Sequence, residues 1–210
     1  MTTGVTEISR RIIISQPITD SLAGYVIDHI TAINDFDNQM SVVSTYQPEP
    51  IEIFINSGGG SATAGNAIIT TMEMSETPII TYGLGMVGSM ALAIFVSGDI
   101  RIASRFCRFM YHTVAYGMEG NIKDHEDAHK EAGILQEMYN SLFLERTKLS
   151  QAHMDKIRKE KKDFFFSGKR AVKLGVADKL MDKPEKKFDL VTEEEYEQIL
   201  KELEQLELEK

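Results

Sequence analysis

The chain has 210 residues, 42% apolar and 8% aromatic, with a net charge of −9. That length and apolar content predict one well-packed domain with at most an appendage, and exclude general disorder. The acidic balance argues against general nucleic-acid binding, which needs a basic surface, and no uncharged apolar run of about 18 residues predicts a membrane span.

The start, "MTTGVTEISRR", lacks the basic end followed by an apolar stretch that marks a secretory signal. "RIIIS" (Arg11–Ser15) reads as a short buried strand. "TDSLAGYVIDHITAI" places Leu22, Val26, Ile30 and Ile33 at helical spacing behind a Thr19 or Asp20 cap. "NDFDNQMSVVSTYQPEP" is polar and ends in two prolines, so a loop is predicted from Asn34 to Pro50.

"IEIFIN" alternates Ile51, Ile53 and Ile55 as a strand does, and runs into "SGGGS". "ATAGNAIITTMEM" is a predicted helix, "PIITYGL" a strand, and "GMVGSMALAIFVSG" (Gly85–Gly98) the next helix. "RIAS" and "RFCRFMYH" are two further strands. Strand and helix alternating every 20 to 30 residues predict a mainly parallel α/β fold. Ligands in such folds sit at the carboxyl ends of the strands. Ser57–Gly60, Gly85–Ser89 and His112 all follow strand ends and are expected on one rim.

"NIKDHEDAHKEAGILQEMYNSLFLERTKL" predicts a helix of roughly 28 residues with Ala128, Leu135 and Leu142 repeating at seven and Ala132, Met138 and Tyr139 between them. A helix this long is expected to project and pack on another subunit. "SQAHMDKIRKEKKD" is a second helix with a Ser150 cap and a basic face. After "FFFS", Ser167 caps a short helix that Gly175 ends. The tail from Asp182 holds eleven acids and five bases, so most of the net charge lies there. Its capping box, Thr192 to Glu195, opens a predicted acidic helix with an apolar stripe, which reads either as a solvated helix or as an assembly helix.

Several residues are candidates for chemistry. Ser89 stands where a helix begins, beside free backbone N–H groups that could hold an oxyanion. Alone it reads equally as a small residue for close packing, and Ala91 departs from the G-x-S-x-G elbow. The three glycines of "INSGGGS" lack the Lys-[Ser/Thr] of a phosphate loop, and could pair with a peptide main chain instead. His112 ends a strand and is a candidate base, although an isolated histidine there is more often structural. Cys107 is the only cysteine, which excludes an internal disulfide and fits a reducing, cytoplasmic compartment. Its odd separation from His112 puts the two side chains on opposite strand faces and disfavours a Cys–His pair. Asp163 is a candidate third member, with Asp124 and Asp155 left open by spacing, and the phenylalanines after it predict a buried cluster. "HEDAH" (His125–His129) fits H-E-x-x-H literally, but Asp127 and the missing downstream ligands argue against zinc.

Taken together, the motifs resemble the proteolytic subunit of the ATP-dependent Clp protease, the ClpP family. Its "R-I-I-F-L" is similar to "RRIIIS", its "Y-I-N-S-P-G-G-x-x-T-A-G" to "FINSGGGSATAG", and its "A-S-M-G/A" to "GSMA". Its "R-x-M-I-H-Q-P" is similar to "RFMYHTV", with G-x-x-x-D kept at Gly120 and Asp124, and its "R-D-x-F-x-S-A-x-E-A-x-x-Y-G-L-I-D" to "KDFFFSGKRAVKLGVAD". The resemblance covers about Arg10 to Leu180.

It implies a ClpP/crotonase-like α/β fold in residues 1–181, with a handle helix over 122–149 and an acidic tail over 182–210. It also implies a serine endopeptidase with Ser89 as nucleophile, His112 as base and Asp163 as acid. The implied oxyanion donors are Gly59 and Met90, with Gly60 as an alternative. Substrate strands would lie beside Gly59, Gly60 and Ser61 on one side and Val114 and Ala115 on the other. No metal or other cofactor is implied for the chemistry.

The implied partners are peptide or unfolded protein substrates, further copies of the chain in stacked heptameric rings, and a Clp-type AAA+ ATPase. Neither nucleic acid nor membrane is an expected partner. The sequence departs from the pattern at Gly58 (for Pro), at Thr113 and Val114 (for Gln-Pro), and at Lys161 and Lys162 (for Asp-Arg). The few residues before the first strand leave little of the axial loop that contacts the ATPase. The alternatives are therefore a stand-alone or phage-type processing protease, or a non-catalytic ring subunit.

Overall fold

The structure is a computed structural model that describes residues 8–160 and 162–183, with 197, 198 and 201 in the tail. The predicted capping box at Thr192–Glu195 lies outside the described residues, as does Lys161.

The core is a seven-stranded sheet. Strands β1 (Arg11–Ile14), β2 (Ile51–Ser57), β3 (Ile79–Gly88), β4 (Ile100–Ala103) and β7 (Lys179–Leu180) lie side by side in that order, all parallel. Strand β3 forks. Its first half pairs β4 through Ile80–Gly83, and its last three residues pair β5 (Arg108–Tyr111), again in parallel. Strand β6 (Phe164–Ser167) runs antiparallel beside β5. The α/β class with a mostly parallel sheet is the one expected.

Helices α1 (Asp20–Met40), α2 (Ala62–Met74) and α3 (Met90–Val96) follow the first three strands in turn and pack successively on one another. Alternation in β2 buries Ile51, Ile53 and Ile55 on the helix side and leaves Glu52 and Phe54 on the other. There Phe54 stacks on Tyr82 at 4.6 Å. Every residue of α3 is buried. Helices α4 (Ile122–Arg146), α5 (Gln151–Glu160) and α6 (Gly168–Lys173) follow later in the chain.

The structure corrects the predicted elements at several points. Residues 34–40 are not loop but the last two turns of α1. Polar side chains on the buried face of that stretch disguised it. Asn34 accepts from the Glu76 and Thr77 N–H groups at 2.9 and 3.2 Å. Asp37 pairs with the Arg10 guanidinium, one bond being 2.9 Å, and accepts from Tyr46 and Thr77. These bonds satisfy groups that would otherwise be costly to bury.

Residues 85–88 belong to strand β3, not to the following helix, because Met86–Gly88 find ladder partners in Arg108–Met110. The strand predicted over 105–112 shrinks to Arg108–Tyr111, with a turn at Arg105 and Phe106. The predicted handle helix stops at Arg146, where the Thr147 hydroxyl caps the Phe143 carbonyl at 2.6 Å. Helix α5 ends at Glu160. Of the phenylalanine cluster only Phe166 is fully buried, because strand alternation turns Phe165 outward to 47% exposure. Strand β7 was missed, since two residues carry no period. The caps at Ser167 and Ser150, and the left-handed Gly175 after α6, are as expected.

Only Gln136, Tyr139 and Phe143 of α4 are buried. All three lie in its second half. The first half is mostly exposed, with Ile122 at 81%.

Candidate active site

The fork in β3 builds the site. Past the fork, Ser89 is the first residue off the strand, and its N–H donates to the Met110 carbonyl of β5 at 2.9 Å. That pairing sets Ser89 beside the residue that leaves β5, His112. The Ser89 Oγ lies 2.7 Å from His112 Nε2. Two side chains 23 positions apart thus meet because the strands before them are in register.

Ser89 has φ +53° and ψ −128°, and it is the only non-glycine residue with positive φ among the described residues. A serine in that region is strained by about 1–3 kcal/mol, and such strain persists only where surrounding contacts fix it. The sequence lacks the second glycine of a nucleophile elbow, yet the local form is one: a sharp strand-to-helix turn with the hydroxyl at its tip. Gly88, before Ser89, is crowded by the Gly58 carbonyl and by methionine side chains.

The glycine loop abuts this turn. Gly59 has φ +109°, and a β-carbon there would lie 2.6 Å from Ser89 Cβ and 2.8 Å from the Gly88 carbonyl. Only glycine fits. The Gly59 N–H reaches the Ser57 hydroxyl at 3.2 Å. The Met90 N–H has no hydrogen-bond partner among the described residues. Ile18 occupies one edge of the loop, bonding the Gly59 carbonyl at 3.0 Å and the Ser61 N–H at 2.8 Å. The alternation of a strand then leaves the Gly60 N–H and C=O for the opposite edge. Across the site, the Val114 N–H is held by Gln136 Oε1 at 2.7 Å.

A cavity of about 160 Å³ opens at Ser89, lined mainly by Ala62, Met90, Val114, Leu135 and Tyr139. Ala115 and Gly60 stand at its edge, exposed. Gly65 matters here: a β-carbon on it would strike the Met90 side chain at 2.1 Å, so its absence lets Met90 lie against α2.

Asp163 is placed differently. It is exposed and lines a second cavity, about 450 Å³, on the far side of His112, together with His129, Arg158 and Lys162. No hydrogen bond joins it to His112. The two alternatives lie elsewhere. Asp124 closes the capping box of α4 with Asn121, and Asp155 accepts from Gln151 at 2.8 Å. Of the three carboxylates, only Asp163 shares a cavity with the histidine.

Cys107 is buried in the core, where desolvation pushes its thiol up to about 12, so no thiolate forms near neutral pH. His125 and His129 of "HEDAH" are exposed on α4, and the intervening Asp127 pairs with Lys123 at 2.8 Å.

Sequence reasoning missed three residues of α4. Gln136 and Asn140 form a polar ladder with Tyr111, whose hydroxyl donates to Asn140 Oδ1 at 2.5 Å. Tyr139 donates to the Ser89 carbonyl at 2.9 Å. In the sequence all three sit on an ordinary amphipathic helix, and nothing there shows what their polar atoms meet.

The family model for Clp protease matches residues 5–184. The chain belongs to the Clp protease family. The ATP-dependent Clp protease proteolytic subunit of Deinococcus radiodurans is 29% identical over 176 residues, which cover 82% of this chain and 80% of that protein. Membership in the family supports a ClpP-like serine peptidase. The family match takes in all seven strands and α1 to α6, and stops short of most of the acidic tail. No helix among the described residues is long and apolar enough to cross a membrane.

Proposed function

We propose that this chain is a serine endopeptidase in which Ser89 is the nucleophile, His112 the general base and Asp163 the acid that orients the imidazole. The observation that carries the reading is the 2.7 Å contact of Ser89 Oγ with His112 Nε2 at a strained strand-to-helix turn. A serine hydroxyl is a weak nucleophile until a base accepts its proton. Here Nε2 takes the proton as Oγ adds to the scissile carbonyl.

The oxyanion that forms would be held by the N–H groups of Met90 and Gly59, the latter turning from the Ser57 hydroxyl. Collapse breaks the C–N bond, and His112 gives its proton to the leaving amine. Water, deprotonated by the same histidine, then hydrolyses the acyl ester and restores Ser89. Asp163 completes the arrangement when its carboxylate crosses the cavity to Nδ1.

Substrate would lie extended between Gly60 and the segment after His112, with an apolar side chain in the 160 Å³ cavity. Main-chain pairing of this kind suits unfolded protein of varied sequence. Residues 1–181 form the peptidase unit in this reading, with 122–149 as the handle and 182–210 as an acidic tail. Copies of the chain assemble into stacked heptameric rings through the exposed first half of α4, in the cytoplasm, and a Clp-type AAA+ ATPase feeds them.

A fluorophosphonate probe tests the chemistry. Wild type is expected to label one serine per chain and Ser89→Ala none, with or without a chelator. Label that persists in Ser89→Ala removes the proposed nucleophile. Peptidase activity that is lost to a chelator and takes no label would point back to "HEDAH".

A further inference from the structure

Tyr139 lines the cavity at Ser89, but nothing in the proposed chemistry uses its hydroxyl. Its side chain is 8% exposed and its hydroxyl crosses from α4 to the Ser89 carbonyl, 2.9 Å away. The ring is held on two sides, stacked on Tyr111 at 5.2 Å and edge-on to Phe143 at 4.8 Å. Burial also raises the phenol well above its ordinary range, so the hydroxyl stays protonated and keeps donating.

The bond acts on a particular peptide plane. Ser89 C=O and Met90 N–H belong to one peptide unit, which is planar and trans, so the two groups point in opposite directions. Fixing the carbonyl oxygen therefore fixes the direction of the N–H. The remaining hold on that oxygen comes from the Leu92 and Ala93 N–H groups at 2.9 and 3.3 Å, inside a helix of only seven residues. A donor on the oxygen also polarises the peptide and makes its N–H the stronger donor.

We infer that Tyr139 is a positioning residue, whose hydroxyl bond to the Ser89 carbonyl sets the strained turn and aims the Met90 N–H at the developing oxyanion. The inference rests on the reading of Ser89 as nucleophile. It gives the docked half of α4 a direct hold on the reaction, separate from any role of the exposed first half in assembly.

The variant Tyr139→Phe keeps the ring and removes only the hydroxyl. Three quantities are read on the assembled protein: the fluorophosphonate labelling rate constant, kcat and KM on a fluorogenic peptide, and the affinity for acetyl-leucyl-leucine boronic acid, which forms a tetrahedral adduct on serine. The rate constant counts only folded sites, and the labelling end point reports their fraction, so a partly unfolded sample still reads. The expected result is about a tenfold fall in labelling rate, kcat and boronate affinity together, with KM within about twofold.

Equal labelling and boronate affinity in wild type and Tyr139→Phe would overturn the inference while leaving Ser89 as nucleophile. A fall confined to KM or to the labelled fraction would also overturn it, since the hydroxyl would then serve only binding or folding. A wild type that takes no label overturns both the inference and the reading beneath it.

Discussion

The two sides of His112 are built to different standards. On the Nε2 side, Ser89, Gly59 and Met90 are held by strand register, by a glycine that nothing else can replace, and by a buried tyrosine. On the other side, Asp163 sits exposed at the start of a four-residue edge strand, across a cavity of about 450 Å³ from the imidazole. The proposed nucleophile and base are thus fixed by the core of the sheet, and the proposed acid lies at its margin. Local packing determines the first pair. Arg158 of α5 and Lys162 line the same cavity as Asp163.

The largest expected effect tests that contrast directly. Ser89→Ala should cost about 10⁶ in kcat and Asp163→Asn about 10⁴, both read in single-turnover peptide cleavage. Equal losses would mean that the acid is held as firmly as the pair, and no loss in Asp163→Asn would remove it from the site.

Gly59→Ala comes next. Its β-carbon meets Ser89 and the Gly88 carbonyl under 3 Å, and its φ of +109° strains any other residue. A fall of about 10²–10³ in kcat is expected, as for a lost oxyanion donor. Normal turnover in Gly59→Ala would show that the loop does not contact the reacting carbonyl.

A smaller effect marks the buried pair Arg10–Asp37, far from the chemistry. The Arg10 guanidinium, with help from Thr77 and Tyr46, holds the Asp37 carboxyl down at about 2. Its folded pKa is below its unfolded value, so the stabilisation is present above about pH 4 and fades as pH falls towards 2. Asp37→Asn should therefore lower stability by about 2 kcal/mol at pH 7, and the gap to wild type should close in acid. Urea midpoints at the two pH values measure it. A gap that stays constant with pH would assign the loss to packing instead.

The smallest effect is expected at Cys107. With its thiol buried and pushed up to about 12, alkylation of the native protein should be far slower than of the unfolded chain, and Cys107→Ala should keep its fluorophosphonate label. Rapid native alkylation accompanied by lost activity would reopen the cysteine as a participant.

Much of the fold was legible because its signals are local. Alternation in "IEIFIN", the caps at Thr19 and Ser167, and the glycine that ends α6 each state their element within a few residues. The reading failed where polar residues serve the interior. Asn34 and Asp37 made buried helix look like loop, since hydropathy does not show that their partners are Arg10 and the chain at Thr77. It also failed at Gly85–Gly88, where the partner strand begins twenty residues later.

The sequence by itself determined the α/β order, the residue types of the proposed chemistry and the glycine loop beside them, because motif and period are properties of neighbouring residues. Only the tertiary structure decided that β3 forks, that Ser89 therefore meets His112 at 2.7 Å, and that Tyr139 reaches the Ser89 carbonyl. It also decided that Asp163 stands apart. These are distances between residues remote in the chain, and they follow from strand register and helix docking, which no local pattern encodes.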